Sequence, residues 1–272
     1  MFIREAISLQ TALIFHERNN MKRVILNSVL LSLFIVNCMG SAGIDTKSVN
    51  AGQNTTADMT QYWIENRGQI EDGAVKYYIS RPGSMLYLCE DFVVRMDFRT
   101  YEDPPDSGLM FQDMAVLKQY KAGTSTKDWL PKGQKTGVVN FLIGEKAKHK
   151  TGCKTFNSIE ANKYWGNKTL IEFQIDGDKV RVLHTVEKGG NVALVQVENE
   201  GQNSMAIDTD GNLHLVFDEG LADIILSKPL ALQTIGGIPV NVSASFRLVN
   251  STTFGFNVGT YDTRYDLVIW YR

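Results

Sequence analysis

The side chains that could carry chemistry in this chain of 272 residues are few: four histidines, three cysteines and a dispersed set of carboxylates. A nucleophile triad needs Ser, Thr or Cys brought to a histidine base. His149 stands in Lys146-Ala-Lys-His-Lys150, which reads as a solvated basic turn. His184 and His214 each fall inside strand-like segments, where alternation could turn them to either face. A lone strand histidine is read as a surface or satisfied core residue. No Gly-x-Ser-x-Gly elbow, Gly-rich phosphate loop or His-Glu-x-x-His helix accompanies them. No catalytic, cofactor-binding or metal-binding residue is therefore assigned.

Paired carboxylates for glycoside hydrolysis could come from Glu65, Asp97, Glu172 or Glu198. Their separation is a three-dimensional fact, so spacing ranks none of them. Asp208-Thr-Asp210-Gly-Asn212 resembles the start of a calcium loop, with Glu219 at its twelfth position. His214 and Val216 occupy inner positions, however, and strands flank the segment, so a hairpin turn is the better reading. Adjacent aromatic pairs recur at Tyr62-Trp63, Tyr77-Tyr78, Tyr164-Trp165 and Trp270-Tyr271. In a strand one member of each must point away from the core. Trp63, Tyr78 and Trp165 are the candidates for stacking on a sugar ring, with packing under a loop or second sheet as the alternative. Cys89 and Cys153 could pair in an oxidising compartment, or stand as two independent buried thiols. Their spacing fits no zinc site.

These residues sit in a chain built for export and for strands. From Met21, Lys22 and Arg23 precede an apolar stretch over residues 24–36, and Gly40-Ser41-Ala42 offers a small-residue cleavage site. The run is shorter than the ~18 residues that would span a bilayer. Residues 1–20 read as upstream sequence ahead of the true start, 21–42 as a signal peptide that carries Cys38 away, and 43–60 as a flexible leader; acylation of Cys38 as a lipoprotein is the weaker alternative, because Asn37 is larger than the residue such a site takes before its cysteine. A net charge of −2 argues against a nucleic-acid partner and against bulk attraction to anionic lipid.

Residues 61–272 read as one all-β domain, an antiparallel sandwich that could be two packed subdomains. Short segments rich in β-branched residues alternate with Gly, Asp and Pro turns, and no helical stretch after residue 136 is long enough for a parallel crossover. Asp210-Gly211 is the strongest hairpin signal, expected as a type I′ turn. Residues 240–248 read as one strand. Residues 100–136 read as an irregular excursion with room for a short helix around Phe111 to Tyr120, and as the place for any subdomain boundary.

Trp63-Ile-Glu-Asn-Arg-Gly-Gln69, Val75-Lys-Tyr-Tyr-Ile79, Val139-Asn-Phe-Leu-Ile-Gly144, Asp210-Gly-Asn-Leu213, Lys228-Pro-Leu-Ala-Leu-Gln233 and Phe256-Asn-Val-Gly-Thr-Tyr-Asp262 follow one another in an order that resembles a domain of unknown function, DUF7948. That domain precedes SBBP, β-propeller-like repeats in bacterial surface proteins. The resemblance runs from about residue 61 to the end. It departs where Leu267-Val-Ile-Trp-Tyr-Arg272 replaces the family's usual continuation into repeats, and where Ile159-Glu-Ala-Asn-Lys-Tyr-Trp-Gly166 is eroded. It implies an extracellular β-rich module and supplies no catalytic residues. The expected function is a secreted or surface module for binding or scaffolding, not an enzyme. Its partner would be a surface glycan, a protein or a propeller domain not carried here. A glycan-active hydrolase and a truncated remnant of a larger surface protein are the alternatives.

Overall fold

Strands account for nearly all the regular structure of the computed structural model, which describes residues 61–81, 84–102, 110–121, 128–142, 144–162, 165–166, 168–218 and 221–272. The expected signal segment with Cys38, the leader, Tyr164 and Glu219 lie outside the described residues. In chain order the first strands are β1 (Trp63–Glu65), β2 (Val75–Arg81), β3 (Ser84–Cys89), β4 (Val94–Glu102), β5 (Met110–Lys121), β6 (Leu130–Phe141), β7 (Lys150–Asn162), β8 (Thr169–Asp176) and β9 (Lys179–Val186). After them come β10 (Gln196–Glu200), β11 (Ser204–Ile207), β12 (Leu213–Val216), β13 (Ile224–Leu226), β14 (Leu230–Ile235), β15 (Ile238–Val242), β16 (Ala244–Leu248), β17 (Thr253–Val258) and β18 (Leu267–Tyr271). The described pairs are antiparallel, as hairpin-length connections require.

One long sheet runs β15-β14-β18-β9-β8-β7-β1-β2-β3-β4-β5-β10-β17-β16. Two features fold it into layers. The first is β7, which pairs with β6 along one edge, while β8 takes its residues 158–162 and β1 takes Thr155 and Phe156. Because β6 occupies the first edge over the same residues, β1 and β8 must share the other edge and diverge from it. The second is Ser243, the single residue between β15 and β16, which pair with β14 and β17 at opposite ends of the sheet. The segment expected as one strand over 240–248 therefore breaks and changes partner, the usual way a sandwich turns a corner. Gly259 donates to the Ser243 carbonyl at 2.9 Å, and a Cβ on Gly259 would lie 2.3 Å from Ser243 Oγ. A side chain there would force the Ser243 hydroxyl to rotate away.

The result is a β-sandwich-like body with β15-β14-β18-β9-β8 in one layer and β1-β2-β3-β4-β5-β10-β17-β16 in the other. Aromatic rings fill the space between them. Tyr271 of β18 meets Phe246 of β16 at 5.4 Å and Phe254 of β17 at 6.2 Å, the second edge-on. Trp63 lies in the fork where β1 and β8 part, edge-on to Phe173 at 6.2 Å. The separate sheet β11-β12-β13 caps this body: Leu213 and Leu215 are fully buried, and Phe217 packs edge-on against Phe98 of β4 at 4.6 Å. All described residues belong to a single compact unit, Thr56–Arg272. Among them no helix is long and apolar enough to cross a membrane.

Three local expectations change. The stretch expected to hold a helix is β5, paired with β4 on one side and β10 on the other. Two ladders of inter-strand bonds outweigh the helix propensity of Met, Ala, Leu and Lys. The turn at Asp210-Gly211 is not a two-residue hairpin, because Ile207 and Leu213 are the closing pair and residues 208–212 form the loop. Two-residue turns are found instead at Gly177-Asp178, between the paired Asp176 and Lys179, and at Gly236-Gly237, between the paired Ile235 and Ile238, where φ is 58° and 82°. Both positive dihedrals suit a type I′ turn.

Candidate functional site

Asp208, Asn212, His214 and Asp223 form the densest polar constellation among the described residues. β12 projects Leu213 and Leu215 into the core, so strand alternation turns His214 to the outer face. There Nε2 lies 3.1 Å from Asp208 Oδ2 and Nδ1 lies 3.5 Å from Asp223 Oδ2. The hydrogen bond from Asp208 leads the causes that raise the His214 pKa, with Asp223 adding to it. Asp208 moves the other way. Its carboxylate accepts from Asn212 Nδ2 at 2.8 Å, from His214, and from the backbone N–H groups of Asp210 and Asn212, and these bonds hold its pKa well below the usual carboxylate range. The Asn212 side-chain oxygen Oδ1 in turn accepts from Lys228 N at 2.9 Å.

This arrangement can hold charge and shape a loop, but it cannot abstract a proton. A general base needs a free imidazole lone pair aimed at substrate, and both ring nitrogens of His214 face carboxylates. Asp208 spends its oxygens on the loop's own donors, which is why residues 208–212 fold as a five-residue loop. No group of three His, Cys, Asp or Glu among the described residues is placed to hold a metal ion.

His184 on β9 is its opposite. It is wholly buried, with the rings of Trp165, Phe256 and Tyr271 at 5.0, 5.1 and 5.5 Å. Neither ring nitrogen has a hydrogen-bond partner, and burial pushes its pKa down to about 3. Close by, a cavity of about 10 Å³ is lined by Trp165, Tyr271, Val197, Phe173 and Gln119 among others. That volume is of the size of one water molecule and excludes any larger ligand.

The three aromatic residues expected to stack on a sugar are core residues. Trp63, Tyr78 and Trp165 are 0%, 1% and 1% exposed. Their polar atoms are used internally: Trp63 Nε1 donates to the Phe173 carbonyl at 2.9 Å, Trp165 Nε1 to that of Gln196 at 2.6 Å, and Tyr78 Oη accepts from Gln69 Nε2 at 3.3 Å. Trp63, Tyr78 and Tyr271 are the inward members of their pairs, while Tyr62, Tyr77 and Trp270 are half-buried. Burial raises the Tyr78 pKa. Cys89 and Cys153 are buried and are not joined by a disulfide. Cys89 ends β3 and Cys153 lies on β7, with β1 and β2 between them. Three strand steps are roughly 14 Å, twice what a disulfide can bridge.

The four carboxylates considered for hydrolysis lie on β1, β4, β8 and β10, and none is the cross-strand partner of another. Asp97 is buried beside Arg95, whose guanidinium lies over the Tyr87 ring at 4.3 Å and also pairs with Asp72 at 2.7 Å. His149 is in an exposed turn, 3.2 Å from the Gly144 carbonyl.

Sequence reasoning missed the amides that hold loops. Asn66 accepts from the N–H groups of Gly68 and Ile70 and donates to the carbonyls of Ile70 and Val75. Gln69 accepts from Arg67 N and donates to the Glu65 carbonyl at 2.6 Å. Gln233, 1% exposed, accepts from Asp262 N and donates to the carbonyls of Asp262 and Tyr265. The signal was present, since Asn66, Gln69 and Gln233 all lie inside the motifs on which the family resemblance rests.

The model of the family described as a domain of unknown function (DUF7948) matches residues 63–269. No curated protein and no solved structure matches the chain. The match covers most of the chain, which therefore belongs to the DUF7948 family.

Proposed function

We propose that this member of the DUF7948 family is an exported, non-catalytic β module for binding or scaffolding, of the kind that precedes SBBP propeller-like repeats at the bacterial surface. One observation carries the reading: the polar residues of the family motifs are committed to architecture. Asn66 and Gln69 hold the loop between β1 and β2, and Gln233 holds the loop before β18. Side chains whose donors and acceptors are satisfied inside loops are not poised for a substrate. What the domain offers outward is strand surface, with Val138 and Leu142 exposed near β6 and Leu230, Ile238 and Val240 on the β14–β15 hairpin. Pro239, opposite Thr234 in the pair next to the closing pair of that hairpin, removes a donor from the open edge and discourages strand addition there.

Two measurements test the proposal. Secreted material should begin just after Ala42; a mature N-terminus at Met1 or Met21 would overturn export. On a glycan array paired with a hydrolysis screen, the chain should show binding without turnover, and release of sugar from any polysaccharide would replace the binding module with a glycan hydrolase.

A further inference from the structure

Charge is segregated along this chain although the whole is near neutral. Residues 128–154, which hold β6 and the turn into β7, carry six lysines against two carboxylates, a net of +4 in a chain whose total is −2. Residues 201–227, which hold the three-stranded sheet, carry five carboxylates and no lysine or arginine. Lys146, Lys148 and Lys154 are exposed, and with Lys135 and Lys150 they form no ion pair among the described residues; Lys132 alone is paired, to Glu160 at 2.5 Å. On the acidic side Asp210, Asp218 and Asp223 are exposed. Each patch also carries apolar side chains in the open: Val138 and Leu142, 52% and 63% exposed, on the basic hairpin, and Ile225, 55% exposed, on the outer face of the acidic sheet.

Within one molecule the patches lie on different elements, the acidic sheet beside β4 and β10 and the basic hairpin along the edge of β7 that β1 and β8 leave free. No ion pair among the described residues joins the two regions.

We infer that this chain associates with a second copy of itself, the basic β6–β7 hairpin of one copy seated on the acidic β11–β12–β13 sheet of another. Charge complementarity selects that occupant. Both halves of the match are present on every copy, and contact of like patches would set lysines against lysines or aspartates against aspartates. The charges orient the encounter, and Val138 and Leu142 meet Ile225, which shares the outer face of the sheet with His214. Lys228, against the 208–212 loop, offsets part of the acidic charge and leaves it net negative. The contact does not depend on export or on a glycan ligand, so it can fail while the binding-module reading stands.

The test is sedimentation velocity of the full chain at about 0.05 M and about 0.5 M salt, where the Debye length shrinks from roughly 14 Å to roughly 4 Å. The average mass should exceed the monomer and rise with concentration at low salt, and return to the monomer at high salt. Lys146→Glu with Lys148→Glu and Lys154→Glu should be monomeric at low salt, as should Asp210→Lys with Asp218→Lys. An equal mixture of the two reversed variants should associate again, because each then offers the other an opposite charge. A wild-type chain that stays monomeric at low salt, association that survives high salt, or a mixture of folded variants that stays monomeric would each overturn the contact. Should a reversed variant fail to fold, Lys146→Gln with Lys148→Gln and Lys154→Gln reads the same loss without reversing charge.

Discussion

His184 and His214 sit on different sheets of one domain, and each is the reverse of the other. His184 lies between the layers among aromatic rings, with no partner for either nitrogen. His214 faces outward with a carboxylate at each nitrogen. Desolvation biases the side chain towards its neutral form in one place, and neighbouring carboxylates bias it towards the cation in the other.

The largest effect that would break this comparison concerns His184. Its folded pKa is depressed to about 3, so the stability it leaves intact above the unfolded value near 6.5 is lost as pH falls towards 3. Between pH 6.5 and 4 the wild type should lose about 3 kcal/mol from this group alone. Asp208, also depressed, begins to contribute only below its unfolded value, so the upper acid limb belongs to His184. His184→Leu should remove that loss and leave stability at pH 7 level or higher, since an unpartnered polar group gives way to an apolar one of similar size. Urea unfolding at pH 4 and pH 7 checks it. Parallel acid limbs for wild type and variant would mean that the imidazole is solvated.

Gln233 sharpens the contrast between a satisfied buried polar group and an orphaned one. It is as buried as His184 but bonds to the backbone of residues 262–266 at both ends of its amide. Gln233→Leu should cost about 2 to 3 kcal/mol at every pH, because it leaves Asp262 N and the nearby carbonyls unpaired. Asn66→Ala should cost somewhat less, its loop being more exposed. Chemical unfolding at pH 7 reads both. If Gln233→Leu proved as mild as His184→Leu, the hydrogen bonds would not be what fixes that loop.

How much of this was legible in the sequence depended on how local the cause is. The antiparallel β class follows from turn residues and short β-branched runs, both local, and such runs form β3, β8 and β9. The break at Ser243 was not legible. Residues 240–248 carry an unbroken strand pattern, and what divides them is a change of partner sheet, which is a tertiary fact. For the same reason Met110–Lys121 looked helical: its neighbours β4 and β10 are far away in sequence. The aromatic pairs announced themselves, but the members chosen for a surface role were the inward ones, because the strand faces had yet to be fixed. Both strand histidines were found with their faces undecided, and that face is all that separates a neutral core residue from a charged clamp.

The smallest effect expected is that of His214, and its sign is what matters. Its pKa is raised by Asp208 and then Asp223, so the stability it contributes is fully present below the unfolded value near 6.5 and is lost as pH rises through the folded value. The loss is modest because the group is open to solvent, where salt and water weaken such pairs. His214→Gln keeps a donor for Asp208 but no charge, so its melting temperature should not share the wild type's decline on the alkaline side. Salt should shrink the wild-type decline and leave the variant unaffected. The His184 effect should be nearly independent of salt, because it arises from burial and not from a charged neighbour. If added salt flattened the acid limb and spared the alkaline one, the assignments of the two histidines would have to be exchanged.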